Sequence, residues 1–194
     1  MKKMKLLIVL LFIAGTAIAQ DDVTPVEDTN FALSVSPQYV ITGGMRLDLD
    51  FKVNDKGWLT VAPVMYYLNN SYMYDPENTS YTGVGAFVNY RYFPSGQGIY
   101  AGAGLNYRFL NTDYSHYNES TEINAKFNTY GFDLTFGYQF RLVEQLFMDL
   151  YLGWGFRYSF QDTVEEEEYW SDAFLDLGYS GFLPVAGLRI GFEF

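Results

Sequence analysis

From Met45 to Val53 apolar and polar residues alternate without a break: Met45, Leu47, Leu49, Phe51 and Val53 are interleaved with Arg46, Asp48, Asp50 and Lys52. The same period runs through segment after segment, and at the end of the sequence Leu188, Ile190, Phe192 and Phe194 alternate with Arg189, Gly191 and Glu193. A two-residue period gives a strand two unlike faces. No long 3.6-period stripe competes with it. The chain therefore folds as sheet, and its apolar face must meet either a protein core or lipid.

Residues Met1 to Ala19 read as a secretory signal peptide. Lys2, Lys3 and Lys5 form the basic start, Leu6 to Ala14 the apolar stretch, and Ala17-Ile18-Ala19 the small-x-small cleavage site. The stretch is too short for a spanning helix, which needs about 20 apolar residues. Cleavage removes three lysines and takes the net charge from −11 to −14. With no basic stripe, nucleic acid is not an expected partner. The chain has no cysteine, which excludes disulfides and thiolate chemistry. Residues 20–30 are expected to be a disordered acidic periplasmic lead-in, and 31–194 a single domain.

Eight strands are expected: Phe31–Pro37, Gly44–Val53, Trp58–Leu68, Tyr81–Phe93, Ile99–Phe109, Lys126–Arg141, Leu146–Phe160 and Phe182–Phe194. Their connections alternate. Those at 54–57, 94–98 and 142–145 are tight, whereas those at 69–80, 110–125 and 159–181 are long and polar or acidic. Short turns at one end and long loops at the other suit an up-and-down transmembrane barrel and not a sandwich. An even strand count then returns both termini to the periplasmic side and leaves the long loops extracellular.

Face composition decides which way the sheet looks. One face carries Val84, Ala86, Val88, Tyr130, Phe132, Leu134, Phe136, Leu150, Leu152 and Trp154. The other carries Gly83, Gly85, Gly102, Gly104, Gly131, Gly137, Gly153 and Gly155, interspersed with arginine, aspartate and asparagine. A solvated face would be rich in lysine, yet only Lys52, Lys56 and Lys126 follow the signal. Glycine weakens a strand unless something large approaches it, and in a narrow barrel arginines from neighbouring strands do so. The polarity is inverted, apolar out and polar in. Arg46, Asp48, Asp50, Arg91, Arg108, Asp133, Asp149, Arg157 and Arg189 are expected to form a polar network in the lumen. A one-residue slip would place such charges in lipid, where a midplane Arg or Lys costs ~2–4 kcal/mol.

On the Ala-Ile-Ala-Gln junction at 17–20 and the final strand from Leu183 to Phe194, the chain resembles the small eight-stranded outer-membrane barrels of the OmpA-transmembrane and OmpX kind. It resembles most the short outer membrane β-barrel proteins of Bacteroidota. The resemblance implies an all-β, eight-stranded antiparallel barrel in the outer membrane of a Gram-negative bacterium. It also implies that Leu188, Ile190, Phe192 and Phe194 are the insertion signal read by the barrel-assembly machinery. Outer-membrane lipid, lipopolysaccharide and a larger outer-membrane complex are the partners it suggests.

Little in the chain reads as catalytic. The one histidine, His116, neighbours Ser115 in a segment that reads as loop, and adjacent residues rarely reach the geometry of a Ser–His pair. The inner-face aspartates share their surface with arginines, which favours ion pairs over paired acid catalysis. The run Glu165-Glu166-Glu167-Glu168 lacks the spacing and glycine turn of a calcium loop. No cofactor or metal is expected. Asp162-Thr163-Val164 resembles the short O-glycosylation sequence of Bacteroidota. Tyr72, Tyr74, Tyr114, Tyr117, Tyr169 and Trp170 in the long connections are the candidate surface contacts. The leading expectation is a non-enzymatic envelope protein, structural or binding, alone or within a complex. Transport of small solutes or hydrophobes is the alternative, and an enzyme acting on envelope lipid comes third.

Overall fold

The computed structural model describes residues 29–41, 43–69, 77–116, 122–163 and 179–194. The expected signal peptide and nearly all of the acidic lead-in lie outside them. Eight strands, β1 (Phe31–Val35), β2 (Gly44–Asn54), β3 (Gly57–Asn69), β4 (Glu77–Tyr92), β5 (Ile99–His116), β6 (Glu122–Arg141), β7 (Leu146–Thr163) and β8 (Gly181–Glu193), pair antiparallel in chain order. β8 returns to β1, closing the barrel. One helical turn, α1 (Gln38–Ile41), joins β1 to β2.

The two faces separate cleanly. On β6 the inward Asp133 and Thr135 are 8% and 6% exposed, while the outward Leu134 and Phe136 are 48% and 62% exposed. Asp48, Asp50 and Asp149 are wholly buried, whereas Trp154 and Phe182 stand open to the surroundings. Water would penalise this arrangement and hydrocarbon rewards it. Between two aromatic rows the described outward positions of β3 to β8 are apolar throughout. One row crosses the strands at Tyr107, Tyr130 and Tyr158, which face one another in register, with Tyr107 and Tyr130 rings 5.1 Å apart. Nearer the tight turns lie Tyr138 and Phe140, with ring centroids 4.5 Å apart. Beyond the first row the outer surface turns polar at Thr82, Asn111, Lys126 and Asn128, as headgroup and water contact require.

Several boundaries differ from expectation. β4 starts at Glu77 and not Tyr81, β5 runs to His116 and not Phe109, and β6 starts at Glu122 and not Lys126. β7 reaches Thr163, three residues past Phe160. Above the aromatic row the contrast changes sign, with Leu110, Ala125 and Phe127 buried inside and Asn111, Lys126 and Asn128 on the outer face, so the apolar-out period no longer marks the strands although backbone pairing persists. β1 is shorter than expected because the chain leaves the ladder at Ser36-Pro37 and turns into α1. Proline cannot donate to a ladder. In the 94–98 turn, Gly96 and Gly98 hold φ of 80° and 81°, which side-chain-bearing residues rarely adopt.

Candidate functional site: the lumen

Strand parity sends Arg46, Asp48 and Asp50 of β2, Arg91 of β4, Asp149 of β7 and Arg189 of β8 into the lumen, where all are buried. There they form one assembly. Arg91 spans the interior, its guanidinium 2.8 Å from Asp50 and 3.1 Å from Asp149. Arg189 pairs with Asp149, which faces it directly in the β7–β8 register, and lies 3.3 Å from Asp50 and 3.9 Å from Asp48. Arg46 grips Asp48 with Nε at 2.9 Å and Nη2 at 2.6 Å, and Ser36 donates to the other Asp48 oxygen at 3.0 Å. The Thr60 hydroxyl donates to Asp50 and the Tyr100 hydroxyl to Asp149 at 2.8 Å. Three arginines thus meet three aspartates with added hydroxyl donors, the condition under which buried charges are tolerated. An eight-stranded barrel is just wide enough for side chains, and this assembly bridges β2, β4, β7 and β8 across the axis.

Two smaller groups flank it. Toward the loop end, Arg157 lies 2.6 Å from Asp133 and Asn106 donates to Asp133 at 2.8 Å. Toward the tight turns, Arg141 and Gln139 each reach a Glu193 oxygen at 2.7 Å. Expected network residue Arg108 lies one step of the alternation beyond Asn106 toward the loop end and lines the cavity described below. The glycines make room as anticipated, though for more than arginine. A Cβ on Gly131 would stand 2.7 Å from Arg157 Nη1, and one on Gly137 would stand 2.6 Å from a Tyr100 ring carbon. Thr60, Tyr100, Gln139 and Glu193 were not singled out by sequence. Their signal was the same alternation, hidden because neutral residues and a terminal glutamate draw no attention.

Above the charged assembly a cavity of about 430 Å³ opens. Its polar wall comes from Asn89, Asn106, Arg108, Asp133, Thr135 and Arg157, and its apolar wall from Tyr66, Phe87, Leu110, Leu183 and Val185. The helical turn α1 folds inward over it. Tyr39 packs edge-on to Phe87 with centroids 6.3 Å apart, and Arg46 stacks over Phe87 at 4.3 Å. Beside α1 the wall is incomplete. β1 ends opposite Ile190, so among the described residues β8 from Gly181 to Arg189 has no strand on that side. Even-numbered β8 residues point their backbone groups there, as Phe194 does to Phe31. The Leu188 N–H is met by Gln38 Oε1 at 3.4 Å, while Gln38 Nε2 donates to Tyr151 at 3.4 Å. Pro184, two turns of the alternation higher, has no N–H to satisfy.

The remaining expected residues fall in three groups. Ile190, Phe192 and Phe194 are exposed on the outer face, with Leu188 between them and the seam. Tyr114 is not in a loop: it belongs to β5, in register with Thr79 and Ile123. Tyr72, Tyr74, Tyr117, Tyr169 and Trp170 lie outside the described residues, as does the Glu165–Glu168 run. His116 too is strand and not loop, paired with Glu77 at the end of β5. Among the described residues no group of His, Cys, Asp or Glu is arranged to hold a metal.

No family model matches the chain, and neither does any curated protein. Among solved structures it is similar to a major outer membrane protein from Thermus thermophilus. That match covers 87% of this chain and 100% of the other, at 14% identity and a TM-score of 0.55. CarO of Acinetobacter baumannii matches over 86% of this chain and 98% of its own, at 12% identity and a TM-score of 0.48. Neisserial surface protein A matches over 86% and 93%, at 10% identity and a TM-score of 0.44. With its closed antiparallel barrel and inverted polarity, the chain has the fold of the small eight-stranded outer-membrane β-barrels.

Proposed function

We propose that this protein is an integral outer-membrane barrel of a Gram-negative envelope that works by binding or by structural support, and not as an enzyme or as an open diffusion pore. The observation that carries this is the assembly of Arg91, Asp50, Asp149 and Arg189, which ties four strands together across the axis. A solute moving along the lumen would have to separate these buried pairs, and parting even one costs about 3–5 kcal/mol. In this reading the termini and tight turns face the periplasm and the long connections face outward. The connections carry the candidate contacts Tyr72, Tyr74, Tyr117, Tyr169 and Trp170 toward lipopolysaccharide or a larger outer-membrane complex, with Tyr114 near the loop end of β5 below them. The barrel-assembly machinery reads Leu188, Ile190, Phe192 and Phe194.

Single-channel recording on the purified protein in planar bilayers tests the closed lumen. The expected trace is flat for the native chain, with steps emerging when Arg91 and Asp149 are both replaced by alanine. Regular conductance steps from the native protein would end this reading.

A further inference from the structure

The geometry points to the 430 Å³ cavity as a binding site for a single-chain anionic amphiphile, a free carboxylate on an unbranched hydrocarbon, admitted at the seam between β8 and α1. The inference rests on the sealed lumen proposed above only for its floor. The volume falls in the ~300–1,000 Å³ range of small-molecule sites.

The walls divide by chemistry as such a ligand divides. Leu183 and Val185 of β8, Tyr66 of β3, Phe87 of β4 and Leu110 of β5 offer an apolar surface for the hydrocarbon. Across from them stand four guanidiniums: Arg46, Arg157 and Arg189 are paired with Asp48, Asp133 and Asp149, and Arg108 brings the arginines lining the cavity to one more than those three carboxylates. Arginine is the side chain best shaped to take a carboxylate. Within that wall, Thr135 is 6% exposed and its hydroxyl has no hydrogen-bond partner among the described residues. A buried hydroxyl left unbonded is costly, and a carboxylate oxygen would accept from it.

The seam supplies the entrance. Gln38 and Tyr39 on one side, and Val185, Ala186 and Arg189 on the other, all line the cavity. Among the described residues, what crosses the gap is one helical turn and the Gln38 side chain, whose bonds to Leu188 and Tyr151 are each 3.4 Å long. A hydrogen-bonded strand would have to unzip to admit anything; a side-chain latch need only rotate. Pro184 and the Gln38 cap also blunt this edge against strand addition, so the opening is kept without being filled by another chain.

The test is calorimetric titration of decanoate into the full-length protein in a neutral detergent, with protein-free micelles subtracted. Decanol and decyltrimethylammonium serve as probes of the same chain length. Saturable one-to-one binding of decanoate is expected, with decanol at least about tenfold weaker and the cation inert. Arg108→Gln should weaken decanoate about tenfold and leave decanol unchanged. Val185→Trp should fill the cavity and abolish binding while the barrel still migrates as folded on unheated gels; if it does not fold, Leu183→Phe makes the same test. Equal binding of decanoate and decanol, undiminished binding in the filled variant, or displacement of decanoate by diacyl phosphatidylglycerol would each overturn the assignment. Absence of decanoate binding would overturn it too, yet leave the sealed lumen standing, since conductance reports on that separately.

Discussion

Arg91 and Asp149 meet 3.1 Å apart inside the lumen, near the tight-turn ends of their strands, although they sit 58 residues apart on β4 and β7. Gly102, opposite Arg91 in register, offers no side chain to block the sweep of the guanidinium across the axis. Asp149 is held from three sides, by Arg91, Arg189 and the Tyr100 hydroxyl. At this level charge joins the walls of the barrel, whereas nearer the loop end an apolar cluster of Leu110, Ala125 and Phe127 with Tyr66 and Tyr81 packs inside it.

Replacing Asp149 with alanine leaves Arg91 and Arg189 with one fewer counter-charge in a site that excludes water. Losing one partner of a buried pair costs about 3–5 kcal/mol. Asp149→Ala should therefore lower the urea midpoint of the barrel in detergent by that equivalent. Asp55→Ala, at the solvent-exposed Lys52–Asp55 pair 3.9 Å apart in the turn, should change it by less than ~1 kcal/mol. Equal effects would mean that the lumen is wet enough to screen its charges.

A second prediction concerns space. A Cβ on Gly137 would meet the Tyr100 ring at 2.6 Å, and Tyr100 is fixed by its hydrogen bond to Asp149. Gly137→Ala should destabilise by about 1–3 kcal/mol, the usual cost of overpacking. In a Tyr100→Ala background the same change should cost little. Additive losses in the double-mutant cycle would show that the two sites do not touch.

The sequence carried the fold because lipid and lumen impose opposite demands on alternate residues, from Met45-Arg46 at one end to Phe192-Glu193 at the other. It lost the strand ends where that contrast reverses, with Leu110 and Phe127 inside and Lys126 and Asn128 outside. Asn111, Thr112 and Asp113 look like loop by composition yet pair with β4 and β6. Parity placed Asp50, Arg91, Asp149 and Arg189 on one face but could not say which would meet, since partners across a barrel depend on strand tilt and closure. The cavity was illegible for a different reason. Its side opening exists because β1 stops at Val35 while β8 continues, a mismatch in length between strands at opposite ends of the chain.

The lipid belt can be mapped with arginine. Leu134→Arg, outward on β6 between the aromatic rows, should cost ~2–4 kcal/mol of folding free energy in bilayers. Asn128→Arg lies on the same face of the same strand beyond Tyr130 and should cost no more than about 1 kcal/mol. Refolding into vesicles across a urea series gives both values. Matching penalties would move the membrane boundary away from the Tyr107–Tyr130–Tyr158 row.

Orientation is open to a direct experiment because the chain has no cysteine to interfere. Ser95 lies exposed in the turn between β4 and β5, and Lys126 is exposed on the outer face of β6 near the opposite end. Odd-to-even connections should all emerge on one side, even-to-odd on the other, as antiparallel order requires. With the long connections outward, Lys126→Cys should react with a membrane-impermeant maleimide on intact cells. Ser95→Cys should react only after the outer membrane is opened. Both substitutions sit at solvent-exposed positions, so loss of labelling cannot be charged to burial. The reverse pattern would place the tight turns outside, and with them the mouth of the lumen that Arg141 and Glu193 guard.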